Sequence, residues 1–236
     1  MTVDKDELRN RVWATMRDAG ATRSPRIEGQ VPDFVGAERA AERLVALPSW
    51  EKIETIKCSA DAAAQVVRHA ALREGKLLYL AVPKLANERP FIAIDPQTLD
   101  EDELWYASSP EGADELGELI SPDEMDPIDL VVTGCVAVTR DGARLGEGGG
   151  YGDLEYALLR AYGLVDEETP IVSIVHDLQI LPDGTIPMEP HDISLDWIFT
   201  PDAAMQCVRR FDQPSRVYWD ELDEHRIESI PVLHTS

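Results

Sequence analysis

Basic residues are scarce. Lys and Arg together number 22 against 45 Asp and Glu, a formal net charge of −23 over 236 residues. That deficit argues against nucleic-acid binding, which needs basic patches to neutralise phosphates. The acid is spread along the chain, not gathered in a tail. It reads as a solvated, halophilic surface suited to high salt, which screens self-repulsion. Cysteine is scarce too. Cys58, Cys135 and Cys207 are scattered, odd in number and without a CxxC pair. This argues against a disulfide frame or a zinc site and fits reduced thiols in a cytoplasmic protein. No apolar run approaches the ~20 residues needed to span a bilayer. The polar N-terminus has no signal-peptide core. There is no repeat, no low-complexity tract, and no convincing Ser-His-Asp or Cys-His arrangement. With 44% hydrophobic residues, what remains is a globular chain long enough to bury a core.

The most informative stretch is Asp141-Gly142-Ala143-Arg144-Leu145-Gly146-Glu147-Gly148-Gly149-Gly150-Tyr151-Gly152-Asp153. An apolar run, Leu130 to Val138, precedes it, and a helix-like segment starting at Leu154 follows. Strand, glycine-rich turn and helix form a phosphate-binding layout. Glycine N–H groups turn toward an anion, and the helix offers its positive end. A plain surface loop has the same composition. No Gly-Lys-Ser/Thr closes the stretch, so it is not a P-loop, and it falls too late for a Rossmann fingerprint. Arg144 is placed to meet an anionic oxygen. Asp153 sits where a magnesium ligand or a helix N-cap would sit.

Residues 4 to 18 read as a helix, with Asp4 and Glu7 as a capping box and Leu8, Val12 and Met16 on one face. Lys5 and Arg9 are four apart and share a face. Residues 37 to 47 read as an amphipathic helix. Strands follow at Ile53 to Cys58, Lys76 to Val82 and Phe91 to Ile94, with a helix from Asp61 to Arg73 between the first two. This order implies a parallel crossover. Residues 97 to 127 are rich in Asp, Glu and Pro and read as an acidic surface insertion. Further strands are expected at Ile171 to Val175 and Leu195 to Phe199. An edge strand near Val217 and Trp219 and a short helix up to Ile230 are expected in the tail. Asp61 sits at a strand end, where α/β sheets place ligands, or caps the next helix. Lys84 and Arg89 are candidate anion contacts or solvated cations. His176 reads as a histidine bonded locally at a strand end.

Arg144-Leu145-Gly146-x-Gly148-Gly149-Gly150-Tyr151-x-Asp153 resembles the signature of the 5-formyltetrahydrofolate cyclo-ligases, also called methenyltetrahydrofolate synthetases. It is more similar still to their divergent domain-containing branch. Supporting segments are Leu8-Arg9 with Trp13, Val31-Pro32-Asp33-Phe34-x-Gly36-Ala37, and His191-Asp192-x-x-Leu195-Asp196 with Thr200-Pro201. The resemblance spans nearly the whole chain and implies one domain over 1–236. Its fold would be a three-layer α/β/α sandwich shared with ribose-5-phosphate isomerase (NagB/RpiA) and CoA transferases.

The resemblance also implies ATP- and magnesium-dependent closure of 5-formyltetrahydrofolate to 5,10-methenyltetrahydrofolate. ATP phosphorylates the formyl oxygen, N10 attacks the activated carbon, and phosphate leaves. Lys5, Arg9, Arg144 and the segment Gly146, Gly148, Gly149, Gly150, Tyr151, Gly152 and Asp153 would hold ATP. Arg144 and Tyr151 would serve catalysis, and Asp61 and Tyr151 would contact the folate. Asp153 and Asp192, with Asp196 as fallback, would bind Mg²⁺. A monomer or weak homodimer is expected, with no nucleic-acid or membrane partner. The chain departs from the family at three places: no Glu stands at the Asp61 strand end, Gly152 replaces a second Tyr, and Leu154 replaces a frequent Arg. The phosphate half of the site is therefore better preserved than the folate half. A nucleotide-binding homologue with another substrate and a non-catalytic binding protein remain as alternatives.

Overall fold

The computed structural model describes residues 4–234; the outermost residues of the expected 1–236 domain lie outside the described residues. Helix α1 (Lys5–Asp18) buries Leu8, Val12, Trp13 and Met16, the face that the periodicity marks. Asp4 caps it through the Asp6 N–H, so the cap forms without the expected partnership with Glu7. Then come α2 (Ala37–Val45), β1 (Thr55–Cys58), α3 (Gln65–Arg73), β2 (Leu77–Ala81) and β3 (Phe91–Ile94). Helix α3 starts later than expected. Asp61 spends its Oδ1 on the Ala64 N–H and holds residues 61–64 in a separate turn.

The acidic segment 97–127 is built into the layers instead of lying on them as an insertion. It supplies α4 (Leu104–Ala107), α5 (Pro110–Leu116) and β4 (Glu118–Ile120). Strand β4 pairs antiparallel with β3, and Ala107 and Ala113 are fully buried. The buried Arg68 of α3 donates to the Ser108 carbonyl and ties this corner down. Its acids line the outer face, and that face dominates the composition.

The apolar run from Leu130 to Val138 is two strands, not one. Strand β5 (Leu130–Val132) stays in the main sheet, and the chain leaves it at Thr133-Gly134 to form β6 (Ala137–Thr139) in a second sheet. Next are β7 (Arg144–Leu145), α6 (Tyr151–Ala161), β8 (Ile171–Ile174), β9 (Ile180–Leu181), β10 (Trp197–Phe199), β11 (Ala204–Gln206) and α7 (Glu224–Ser229). The edge strand of the tail is β11. Val217 is instead buried beneath α6, and Trp219–Glu221 make a 3-10 turn.

The main sheet has the order β11-β10-β8-β5-β1-β2-β3-β4. Its centre, from β10 to β2, is parallel, and antiparallel strands close both sides. β1, β5 and β8 are buried throughout, as parallel strands covered on both faces must be. Ile56 and Cys58 face a core shared with α1, α2 and α3. Tyr156 and Leu159 of α6 pack on the other face with Val131 and Ile198. Helices thus cover both sides, giving the expected three layers. The small sheet has the order β7-β6-β9. No helix among the described residues is long and apolar enough to cross a membrane.

Candidate functional site

A cleft of about 530 Å³ opens beyond the ends of β1, β2 and β5. Parallel α/β sheets bind ligands at this edge. The glycine stretch forms one wall, from Gly146 to Asp153. Gly150 caps α6 with φ 64° and brings no side chain to its N-terminus. No backbone carbonyl among the described residues accepts from the N–H groups of residues 148–153. Unpaired donors at a helix N-terminus, with the helix dipole behind them, give this wall the capacity to hold an anion.

Cations reach this wall from both ends of the chain. Arg9 of α1 donates from Nε to the Gly146 carbonyl at 2.7 Å and from Nη1 to Asp6. Lys5, one turn earlier, pairs with Asp192 at 2.6 Å. Arg226 of α7 donates to the Gly149 carbonyl at 2.6 Å, and its guanidinium lies 4.6 Å from the centre of the Tyr151 ring. Arg226 escaped the sequence reading. It lies in a mixed, charged tail, and nothing local distinguishes it from a solvated arginine.

Arg144 is buried in the wall. It donates to the Gly134 carbonyl at 3.2 Å and to Asp153 Oδ1 at 2.9 Å. Burial opposes its charge, but Asp153, Cys135 and Asp192 more than offset this and raise its pKa. A β-carbon on Gly152 would sit 2.9 Å from Arg144 Nη2. The guanidinium therefore occupies the space that a larger residue at 152 would need. Asp153 does not cap α6, because the helix begins two residues earlier, and it stands in the first turn instead. Its Oδ1 also accepts from the Ile193 N–H, which brings Asp153 beside the Asp192 segment. Asp192 Oδ2 accepts from Lys5 and from the Glu189 N–H. Asp196, the fallback, is engaged elsewhere: it accepts from the Ile171 N–H and faces Arg209.

The remaining walls carry other charged groups. Asp61 lines the cleft, accepting from Ser59 and the Ala64 N–H. It therefore both caps a turn and reaches the cleft. Lys57 and Glu155, neither singled out by sequence, form an ion pair at the base. Strand alternation points Lys57 away from Ile56 and Cys58 and toward α6. Glu147 lines the same space. Partial desolvation raises its carboxyl pKa, with the Val31 N–H pulling it back and Asp61 pushing it up.

Lys84 lines the cleft, whereas Arg89 pairs with Glu124. His176 Nδ1 accepts from the Leu178 N–H, so it is a locally bonded histidine. Among the described residues no cluster of three or more His, Cys, Asp or Glu is arranged to hold a metal.

Comparison with known proteins gives this arrangement a context. The methenyltetrahydrofolate synthase domain-containing protein of Bos taurus is 31% identical over 234 residues, covering 99% of this chain and 62% of that protein. The corresponding Mus musculus protein is 32% identical over 98% of the chain and 62% of its own length. The chain thus spans less than two thirds of these relatives. The Aquifex aeolicus 5,10-methenyltetrahydrofolate synthetase structure shares the fold, with a TM-score of 0.56 at 18% identity over 94% of this chain and 97% of that one. The 5-formyltetrahydrofolate cyclo-ligase family model matches residues 1–201, which contain the whole glycine wall with Lys5 and Arg9 of α1, and the chain belongs to that family.

Proposed function

We propose that the chain is an ATP-dependent ligase that converts 5-formyltetrahydrofolate to 5,10-methenyltetrahydrofolate. The observation that carries this reading is the meeting of α1 with the glycine wall, where Arg9 bonds Gly146. Arg9 brings positive charge to a turn whose own N–H groups, at 148–153, bond no backbone carbonyl among the described residues. The unbonded N–H groups of 148–153 would cradle the triphosphate, and Lys5, Arg9 and Arg226 would neutralise its charge. Phosphoryl transfer needs this kind of positioning and charge stabilisation more than a strong base. In the reaction ATP's terminal phosphoryl group passes to the formyl oxygen, releasing ADP. N10 then attacks the activated carbon, and phosphate departs. Arg144 would orient Asp153 and keep Nη2 available to the cleft. Tyr151 would form the wall between phosphate and folate.

The donor set suits magnesium. Among the described residues, Asp153 Oδ2 and Asp192 Oδ1 accept no hydrogen bond, with His191 Nε2 3.7 Å from the second. Two carboxylate oxygens, with water and phosphate making up the shell, match the preference of Mg²⁺. When bound, the ion would offset charge on the phosphate oxygens.

Incubation with Mg-ATP and 5-formyltetrahydrofolate should form the methenyl product, seen by its near-ultraviolet absorbance. Arg9→Gln should raise the KM for ATP about tenfold, the scale of one lost charge-assisted contact. ATP binding without product would turn the reading to a nucleotide-binding homologue with another substrate. The acids Asp61 and Glu147, which line the cleft from the β1 end and from the glycine stretch, favour that alternative over a non-catalytic scaffold.

A further inference from the structure

Three cations line the cleft: Lys57, Arg144 and Lys84. Glu155 takes Lys57, and Asp153 takes Arg144. Lys84 alone of the three has no hydrogen-bonding or ionic partner among the described residues. A free lysine is commonplace on a surface, but the backbone under this one is not. Lys84 and Leu85 have φ of 56° and 54°, the only positive values outside glycine among the described residues. Left-handed backbone at consecutive side-chain-bearing residues persists only where the surroundings enforce it.

The enforcement is visible. Pro83 fixes the backbone before the turn, and the Leu85 N–H bonds the Val82 carbonyl. The Leu85 side chain is fully buried with Leu154 and Leu158 of α6. The helix that begins at the glycine wall thus also pins the turn that presents Lys84. An amine so held, in a cleft where Asp61 and Glu147 also go without a cation yet make no ion pair with it, is arranged for an anion from outside.

We propose that Lys84 is a specificity-determining residue whose ammonium pairs with a carboxylate that the second substrate carries away from its reacting group. This deepens the ligase reading and rests on it, because the glutamyl end of 5-formyltetrahydrofolate is that carboxylate. Asp61 and Glu147 would then meet hydrogen-bond donors at the substrate's other end, and Lys84 its anionic tail. The two charge types in the cleft set the direction in which the substrate enters.

The test compares the full chain with Lys84→Gln and Lys84→Arg, using 5-formyltetrahydrofolate and 5-formyltetrahydropteroate, which lacks the glutamyl group. Lys84→Gln should raise the KM for the folate about tenfold, with kcat within about twofold and the KM for ATP unchanged. Lys84→Arg should recover most of the loss. The wild type should pay a similar penalty on the pteroate, and Lys84→Gln almost none beyond what it has already lost. Equal discrimination by wild type and Lys84→Gln would overturn the proposal, as would a rise in the KM for ATP instead. If no methenyl product forms, titration calorimetry with the same two compounds gives the answer. Tail discrimination that vanishes in Lys84→Gln upholds Lys84 while the ligase reading falls. Absence of discrimination, including no binding of either compound, overturns Lys84.

Discussion

Asp33 illustrates how one side chain can cost stability while its segment helps build a site. Its Oδ1 is sealed from water and accepts no hydrogen bond. Burial raises its pKa above the ordinary 3.8; Arg23 works against the shift, and Asp61 and Glu38 add to it. A carboxyl raised in the folded state is a burden when ionised. The burden is complete above the folded pKa, lifts as pH falls through it, and is absent below the unfolded value. Asp33→Asn should therefore raise stability at neutral pH by roughly 0.5 kcal/mol after solvent screening. The gain should shrink to nothing as unfolding is measured toward pH 4. A gain that persists unchanged at low pH would mean that charge is not its cause. Single residues were unevenly legible in the sequence. Arg9 and Arg144 stood out because cations are rare and their spacing meant something. Glu147, Lys57 and Glu155 did not, because their roles depend on strands and helices meeting across the cleft. Arg226 offered no local cue.

At the scale of elements, the first turn of α6 is where helix preference and site geometry conflict. Alanine favours a helix over glycine by about 1 kcal/mol, so Gly152→Ala would ordinarily stabilise. Here the new β-carbon would meet Arg144 Nη2 at 2.9 Å. That guanidinium cannot swing away freely, since Gly134 and Asp153 hold it. A net loss of about 1–2 kcal/mol is expected as the buried pair is disturbed, together with a higher KM for ATP. A higher melting temperature with unchanged kinetics would count against this coupling. Leu154, which replaces a frequent arginine of the resembled family, is buried with Leu85. Buried apolar strands were readable: β3 falls on the expected residues. The break after β5 was not, because Thr133-Gly134 is a short interruption inside an otherwise apolar run, Leu130 to Val138, and only tertiary contacts send the two halves to different sheets. Strand β4 escaped because an edge strand exposes its charges, and Glu118 and Leu119 both face solvent.

Over the whole molecule, a net charge of −23 outweighs any one ion pair. Self-repulsion of this size weakens the compact state and is screened by salt within about 10 Å at 0.1 M. The melting temperature should rise by several degrees between 0.1 and 2 M KCl; a flat or falling response would dismiss the salt-adapted surface. The layered architecture was open to inference because alternating apolar strands and helices leave few other ways to bury both faces. What wraps it was not, since the closing contacts join residues far apart in sequence. The turn from Gly146 to Gly149 is clasped by Arg9 near the start and by Arg226 near the end, while the last strand finishes at Gln206. A growing polypeptide can thus lay down every described strand before the glycine turn is tightened. If the turn holds a nucleotide as proposed, loading would wait until α7 has been made and docked.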